Sequence, residues 1–243
     1  MFSGQKILCT ICARGGSKGI KDKNIRDLAG KPLISYTITQ ALRWGKAEYV
    51  VVSTDSLRIA EVARQFGAQV PFMRPSSLAG DKAPKILAIR QALIESENIF
   101  GGKFDIVVDL DVTAPLRRIS DLDNCLMVFL RRRAKTLFSV VKAHRNPYFN
   151  MVEEAKDGFA RLVKSLPGGI RRRQDAPRVY DMNASIYFYR RDFLLRDKSL
   201  TPFSDRTAIY IMDDLSRYDI DSDTDLEFVE FLIKEGIWKD EKK

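Results

Sequence analysis

Arg14-Gly15-Gly16-Ser17-Lys18-Gly19 packs three glycines and two cations into six consecutive residues, and Lys21, Lys23 and Asn24 follow closely. Glycines let the backbone turn its N–H groups toward an anion, and the flanking cations add charge. The chemistry such a loop serves is the holding of phosphates. A Walker A loop would end Gly-Lys-Ser/Thr, whereas the order here is Ser-Lys-Gly, and the G-x-G-x-x-G dinucleotide fingerprint is absent too. A plain flexible loop would account for the glycines, but not for their arrangement with Arg14, Lys18, Lys21, Lys23 and Asn24.

A second chemical signal lies near the other end of the chain. In a strand, Asp219 and Asp221 of the run Asp219-Ile220-Asp221 would project from one face, because side chains alternate with period two. Two such carboxylates suit Mg²⁺, which usually takes one or two of them plus phosphate oxygens and water. Asp219, Asp221, Asp223 and Glu230 also fall at the first, third, fifth and twelfth positions of a calcium loop. The sixth position is Thr224 rather than glycine, and Leu226, Phe228 and Val229 have the pattern of a helix core. Asp223 therefore reads as the cap of a final helix. His144 is the single histidine, which excludes a Ser-His-Asp triad and a multi-histidine zinc site. Cys9 and Cys12 form a C-x-x-C spacing inside an apolar run, and with Cys125 they read as buried thiols of a reduced cytoplasm.

The elements that must position these residues alternate regularly. Residues 6–13 read as a buried strand, residues 14–24 as the loop, and residues 32–44 as a helix opened by Pro32. Tyr49–Ser53 is a β-branched second strand, after which Asp55 is placed to cap a helix over 57–66. A short third strand is expected at 70–73, a helix at 84–96 and a fourth strand at 105–110. Ser120 or Asp121 would cap a helix ending at the basic run 131–133, where positive charge suits the macrodipole. A fifth strand follows at 137–142. The rhythm then breaks over 146–177, which reads as a hairpin insertion with strand-like pieces near 149–152 and 161–163. Strand pattern resumes at 184–189 and 209–211, and a last helix runs from Asp223 or Thr224 to about Glu235. Such alternation implies an α/β fold with helices on both faces of a mostly parallel sheet, its ligand beyond the carboxyl ends of the strands.

At this point a family comes into view. The run 13–20 (Ala-Arg-Gly-Gly-Ser-Lys-Gly-Ile), then Lys23-Asn24 and Gly30-Lys31-Pro32-Leu33, resembles the opening of the acylneuraminate cytidylyltransferases. Ser53-Thr54-Asp55, Arg74-Pro75 and Leu78-Ala79-Gly80-Asp81 continue the resemblance. So do Asp111-Val112-Thr113-Ala114-Pro115-Leu116-Arg117, Asn183-Ala184-Ser185-Ile186-Tyr187 and Asp219-Ile220-Asp221. It implies a three-layer, Rossmann-like sheet of the nucleotide-diphospho-sugar transferase type, one domain over 1–243 with a dimerisation element at about 146–177. By the same resemblance, Arg14, Ser17, Lys18 and Lys23 would hold the triphosphate of CTP within the Gly15-Gly16 loop, with Asn24 beside the nucleotide. Arg74 and Asp81 would read the cytosine ring, and Asn183 would touch nucleotide or sugar across the cleft. Arg173 would meet an acidic sugar, while Arg171 and Arg172 either assist it or form a solvated basic loop.

Three positions depart from the commonest family pattern. Asp111 stands where many members carry a glutamine facing the sugar, Phe149 near the place of a lysine, and Asp181 in place of a basic residue. These departures resemble the subset acting on legionaminic acid or related bacterial nonulosonates. The expected reaction is an in-line attack by the sugar's anomeric hydroxyl on the α-phosphorus of CTP, with pyrophosphate leaving. Alignment and charge neutralisation by Mg²⁺, Lys18, Lys23 and Arg14 would drive it. With His144 the only histidine, the hydroxyl's proton would fall to a carboxylate such as Asp221 or to water on the metal.

The net charge of +9 serves a polyanionic nucleotide and an acidic sugar, but equally invites a nucleic-acid reading through the basic runs at 131–133 and 171–173. Nucleic-acid binding would need aromatic residues interleaved with those runs, and Phe129 and Phe138 sit in core patterns instead. Further alternatives are a 3-deoxy-octulosonate cytidylyltransferase and a non-catalytic nucleotide binder. No apolar stretch reaches bilayer length and residues 1–6 lack signal-peptide features, so neither a membrane nor a nucleic-acid partner is expected. A homodimer through the insertion is.

Overall fold

In the computed structural model, residues 4–17, 19–196 and 200–240 are described. β1 (Ile7–Cys12) is apolar except for Thr10 and buried except at Cys12, as expected of a strand covered on both faces. A loop leads to two short strands, β2 (Asp27–Leu28) and β3 (Lys31–Pro32), which pair antiparallel. α1 (Leu33–Trp44) begins after Pro32 and stops at Gly45, whose φ of 65° ends the helix in the left-handed region. β4 (Tyr49–Ser53), α2 (Leu57–Gln65), α3 (Lys85–Phe100), β5 (Ile106–Leu110), α4 (Ile119–Arg131) and β6 (Thr136–Lys142) follow. The hairpin β7 (Val152–Glu154) and β8 (Ala160–Leu162) interrupts the alternation. β9 (Tyr180–Arg190), α5 (Arg191–Arg196), β10 (Thr207–Ile211) and α6 (Asp223–Lys234) complete the chain.

The main sheet has the order β10-β6-β9-β5-β1-β4. β1 runs parallel to both neighbours, with Cys9 opposite Val50 and Val108, and β10 runs parallel to β6. Only β9 is reversed, between β5 and β6. Alternation along β1 sorts the helices into two layers. Ile7, Cys9 and Ile11 share a cluster with Ile34 and Ile38 of α1, Leu122 of α4 and Val229 of α6. Leu8 faces the other way, toward Ile89 and Leu93 of α3 and Leu194 of α5. Phe188 of β9 anchors the first layer, meeting Trp44 edge-on at 6.2 Å and Phe129 at 5.7 Å.

Several sequence expectations shift. Residues 70–73 form no strand. Pro71 removes a backbone donor there, and the neighbouring contact to the sheet is a single bridge between Gln69 and Val51. Asp55 does not cap α2; Ser56 does, accepting from the Ile59 N–H. α4 begins two to three residues earlier than expected, with Arg118 rather than Ser120 or Asp121 at the cap and Asp121 inside the first turn accepting from the Arg118 N–H at 2.8 Å. Ser222, not Asp223, caps α6. Asp219-Ile220-Asp221 is an extended connection rather than a strand, yet Ile220 is wholly buried between its two neighbours. Cys9, Cys12 and Cys125 are free thiols. No helix among the described residues is long and apolar enough to cross a membrane.

Candidate active site

Because β4, β1 and β5 are parallel, the loops after them gather at one edge of the sheet and enclose a cleft of about 550 Å³. Arg14, Ser17, Lys23 and Asn24 line it from the loop after β1, Arg74 and Asp81 from the segment before α3. Asp111 and Asp221 close the far side. A larger cleft of 800 Å³, lined by Gln5, Asp105 and Arg190, lies at the opposite end of β1 and β5. Its cations Lys135, Arg191 and Arg196 are paired with Asp205, Glu97 and Asp192. The strand-end cleft is the one that collects the chemistry.

The glycine-rich loop is fastened at both ends. The Gly15 N–H donates to Asp55 Oδ1 at 2.8 Å, which is the role Asp55 takes in place of capping. Asn24 is buried and donates its amide to the Arg14 carbonyl at 2.8 Å. Gly16 is exposed, and Lys18 lies outside the described residues. Arg14 reaches Asp81 at 2.6 Å, so two residues expected at different parts of a nucleotide meet as an ion pair. Arg74 is buried and donates to the Ser53 hydroxyl at 3.0 Å and the Ser53 carbonyl at 2.5 Å, which ties the cleft wall to the end of β4.

Lys23 joins the two ends of the sequence. Its ammonium donates to the Ile220 carbonyl at 2.9 Å and to Asp221 Oδ1 at 2.8 Å. Gly19 explains how the loop comes so close: a Cβ there would stand 2.3 Å from the Asp221 carbonyl oxygen. On the other side the Ile220 N–H donates to the Thr113 carbonyl at 2.9 Å. Asp219 is partly buried, and its Oδ1 is sealed from solvent without a hydrogen-bond partner. Burial raises its pKa; the Thr113 hydroxyl works against the rise, and the Asp111 and Asp221 carboxylates add to it.

The loop after β5 is held from within. Arg117 is fully buried and donates to the Ala114 carbonyl at 2.7 Å, to Thr37 Oγ1 at 3.4 Å and to the Asp111 carbonyl. Burial lowers its pKa to about 10, against the pull of Asp111, so it stays charged at neutral pH. Gln40 of α1 donates to the carbonyls of Pro115 and Arg117 at 2.9 and 3.0 Å.

Two expected contacts lie elsewhere in this chain. Asn183 is buried, accepting from Ser139 at 2.7 Å and donating to Ser216 at 3.1 Å, so its amide is committed to the fold. Arg173 lines a separate hollow under the insertion and donates to the His144 carbonyl at 2.7 Å. Sequence reasoning also overlooked Lys85, whose ammonium lies in the cleft 2.8 Å from Asp109 and 2.6 Å from Asp111. The available signal was Asp109 itself, a carboxylate inside the otherwise apolar strand Ile106–Leu110 that demands a buried partner.

A sequence profile described as "Cytidylyltransferase" matches residues 8–242. The flagellin modification protein B of Campylobacter coli is 46% identical over 230 residues, covering 95% of this chain and 96% of that protein. The CMP-N,N'-diacetyllegionaminic acid synthase of Campylobacter jejuni is 45% identical over 228 residues, covering 94% and 95%. A pseudaminic acid cytidylyltransferase of Campylobacter jejuni is 33% identical over 235 residues, covering 94% and 97%. Among solved structures, a CMP:2-keto-3-deoxy-manno-octonic acid synthetase complexed with CTP superposes with a TM-score of 0.69 at 21% identity. The match covers 96% of this chain and all of that one, and at that identity it speaks for the fold alone.

Proposed function

The chain belongs to the cytidylyltransferase family, and from that premise we propose that it joins CMP from CTP to the anomeric hydroxyl of an N,N'-diacetyllegionaminate-type sugar acid, releasing pyrophosphate. The observation that carries this reading is the convergence of Arg14, Lys23, Arg74 and Asp221 on one cleft at the strand ends. It is joined by the 45% identity to a CMP-N,N'-diacetyllegionaminic acid synthase over nearly the whole of both chains. Pyrophosphate release from CTP with that sugar acid is the test.

In this mechanism Arg14 and Lys23 face the triphosphate, and their present carboxylate partners, Asp81 and Asp221, hold them in place until it arrives. Both cations are pre-positioned, so little reorganisation accompanies the build-up of charge on the α-phosphate oxygens. Arg74, fixed through Ser53, keeps one wall of the cleft rigid against the base. The loop braced by Arg117 holds Asp111 and Thr113 in the opposite wall.

Mg²⁺ fits the same corner. Asp219 offers a sealed carboxylate oxygen without a hydrogen-bond partner, and the charges of Asp111 and Asp221 press on it. Among the described residues no group of three or more histidine, cysteine or carboxylate side chains is spaced to hold a metal ion. Asp219 and Asp221 would therefore leave the other positions to phosphate oxygens and water. When bound, the ion would supply charge neutralisation at the phosphates. Mg²⁺ at a hundredfold excess over its dissociation constant should raise the melting temperature of the CTP complex by roughly 5–11 °C. Asp219→Asn should lose that shift; an equal shift in the variant would remove Asp219 from the ligand set.

The insertion supports a homodimer. Phe149, Met151, Val152, Phe159 and Leu162 are exposed together on and beside the β7–β8 hairpin, an apolar surface that a second copy would cover. A monomeric mass by light scattering at micromolar concentration would contradict it. The three free thiols accord with a reducing, cytoplasmic setting. A disulfide found in the protein isolated from its native cells would speak against that placement.

A further inference from the structure

Lys85 is the first residue of α3, where the helix dipole disfavours a cation, and no acidic residue in that turn compensates it. Its ammonium is held instead by two carboxylates from β5 and the loop beyond: Asp109 at 2.8 Å and Asp111 at 2.6 Å. It also lies 5.4 Å from the centroid of the Tyr187 ring. Asp109 is sealed, with the Thr10 hydroxyl donating to it at 2.8 Å. Asp111 and Lys85 both line the cleft, and their side chains remain 19% and 36% exposed.

Pairing Asp109 explains why a buried cation is needed, but not why a second carboxylate shares it at the cleft surface. Counted with the buried Arg117 guanidinium behind the loop, two cations and two carboxylates leave the corner without net charge, so it has no excess positive charge for the carboxylate of a sugar acid. What such a pair suits is a neutral group with a donor beside an acceptor. Lysine has three N–H donors, and two go to the carboxylates, which leaves one for a ligand. Beyond Lys85, the Asp111 carboxylate meets the Thr113 backbone N–H and, at 3.4 Å on its other oxygen, the Thr113 hydroxyl, and a carboxylate has lone pairs left for one more donor.

We propose that Lys85 and Asp111 together recognise an acylamino group of the sugar acid, Lys85 donating to the amide carbonyl and Asp111 accepting from the amide N–H. The proposal rests on the cytidylyl-transfer reading above and names the part of the substrate that this corner reads. A site built to pair a polar group rejects the analogue lacking it, because its own groups are then left unpaired.

The test is steady-state kinetics with N,N'-diacetyllegionaminate and with a deoxy analogue carrying hydrogens in place of the acylamino groups, which offers neither donor nor acceptor there. Wild-type turnover of the acylated sugar tests the underlying reading, so a wild type inactive with it fails that reading rather than the residue assignment. In Lys85→Met, KM for the acylated sugar should rise about tenfold or more while KM for CTP stays within about twofold, as expected for one lost charged hydrogen bond. KM for the deoxy analogue should hardly move. Lys85→Arg, which keeps a donor, should recover part of the loss. If Lys85→Met does not fold, Asp111→Asn, which leaves the Lys85–Asp109 pair intact, should give the same sugar-selective rise. Equal losses with both sugars, or a matching rise in KM for CTP, would overturn the proposal.

Discussion

Lys23→Ala should lower kcat for pyrophosphate release by about a hundred- to a thousandfold, the loss typical of removing one pre-positioned charge-stabilising donor. Lys23 has a well-defined setting in the cleft. Its side chain is only 15% exposed, and it grips the Ile220 carbonyl and Asp221 at once. Alanine removes a positive charge from the phosphate side and simultaneously frees the segment that carries Asp219 and Asp221. Stability should change little, because the Asp221 side chain is 75% exposed and such pairs contribute at most about 1 kcal/mol. A shift in melting temperature of no more than about 4 °C is expected for a chain of this size. Lys23→Arg should not restore full activity, since a planar fork cannot replace a compact ammonium shared between a carbonyl and a carboxylate. Single-turnover kinetics with CTP saturating would show the effect; a variant retaining more than about a tenth of wild-type kcat would remove Lys23 from the charge-stabilising set.

Arg117→Ala should have the opposite profile, acting on stability first. The guanidinium is fully buried and holds three separate acceptors in and around the loop that carries Asp111 and Thr113. Removing it leaves the Asp111 and Ala114 carbonyls only the Thr37 and Ser185 hydroxyls, at 3.1 and 3.5 Å, and takes one cation from a region holding Asp109, Asp111 and Asp121. Breaking a buried charged network in this way costs about 3–5 kcal/mol, which corresponds to a fall in melting temperature of about 6–20 °C. Arg117→Lys keeps the charge but satisfies fewer of these acceptors, and should recover only part of the loss. Calorimetric melting checks both variants. A fall below about 3 °C in Arg117→Ala would mean that the loop is held by Gln40 and the backbone alone.

What could be read from the sequence was whatever its chemistry keeps local. The glycine-lysine loop is contiguous, so its glycines and cations announced themselves by spacing. The strands and helices of the sheet were likewise visible as apolar runs and periodic faces. Errors arose where adjacent residues are chemically equivalent and only a distant contact chooses between them. Asp55 and Ser56 are both capable caps, and the choice was made by the Gly15 N–H, which takes Asp55 away. Asp223, by contrast, lost the cap of α6 to Ser222 for a local reason, the reciprocal hydrogen bonds between Ser222 and Asp225. The 70–73 segment was apolar enough for a strand, but Pro71 and the approach to Arg74 leave it no ladder to join. Lys85 itself carries no motif, being a lysine at a helix start; only Asp109, a carboxylate in an apolar strand, pointed to a buried cation, and it lies 24 residues away in sequence (109 − 85). Asn183 illustrates the converse. The residue was prominent in sequence, and the structure turns its amide toward Ser139 and Ser216.

The central claim is cytidylyl transfer to an acylated nine-carbon sugar acid, and its most direct measurement is pyrophosphate release by the purified protein with CTP and Mg²⁺. N,N'-diacetyllegionaminate, N-acetylneuraminate and 3-deoxy-octulosonate would be offered in parallel, with UTP in place of CTP as the nucleotide control. The account predicts release with CTP and an acylated nine-carbon sugar, abolished by EDTA and absent with UTP. Release with 3-deoxy-octulosonate alone, or none with any of the three, would contradict it.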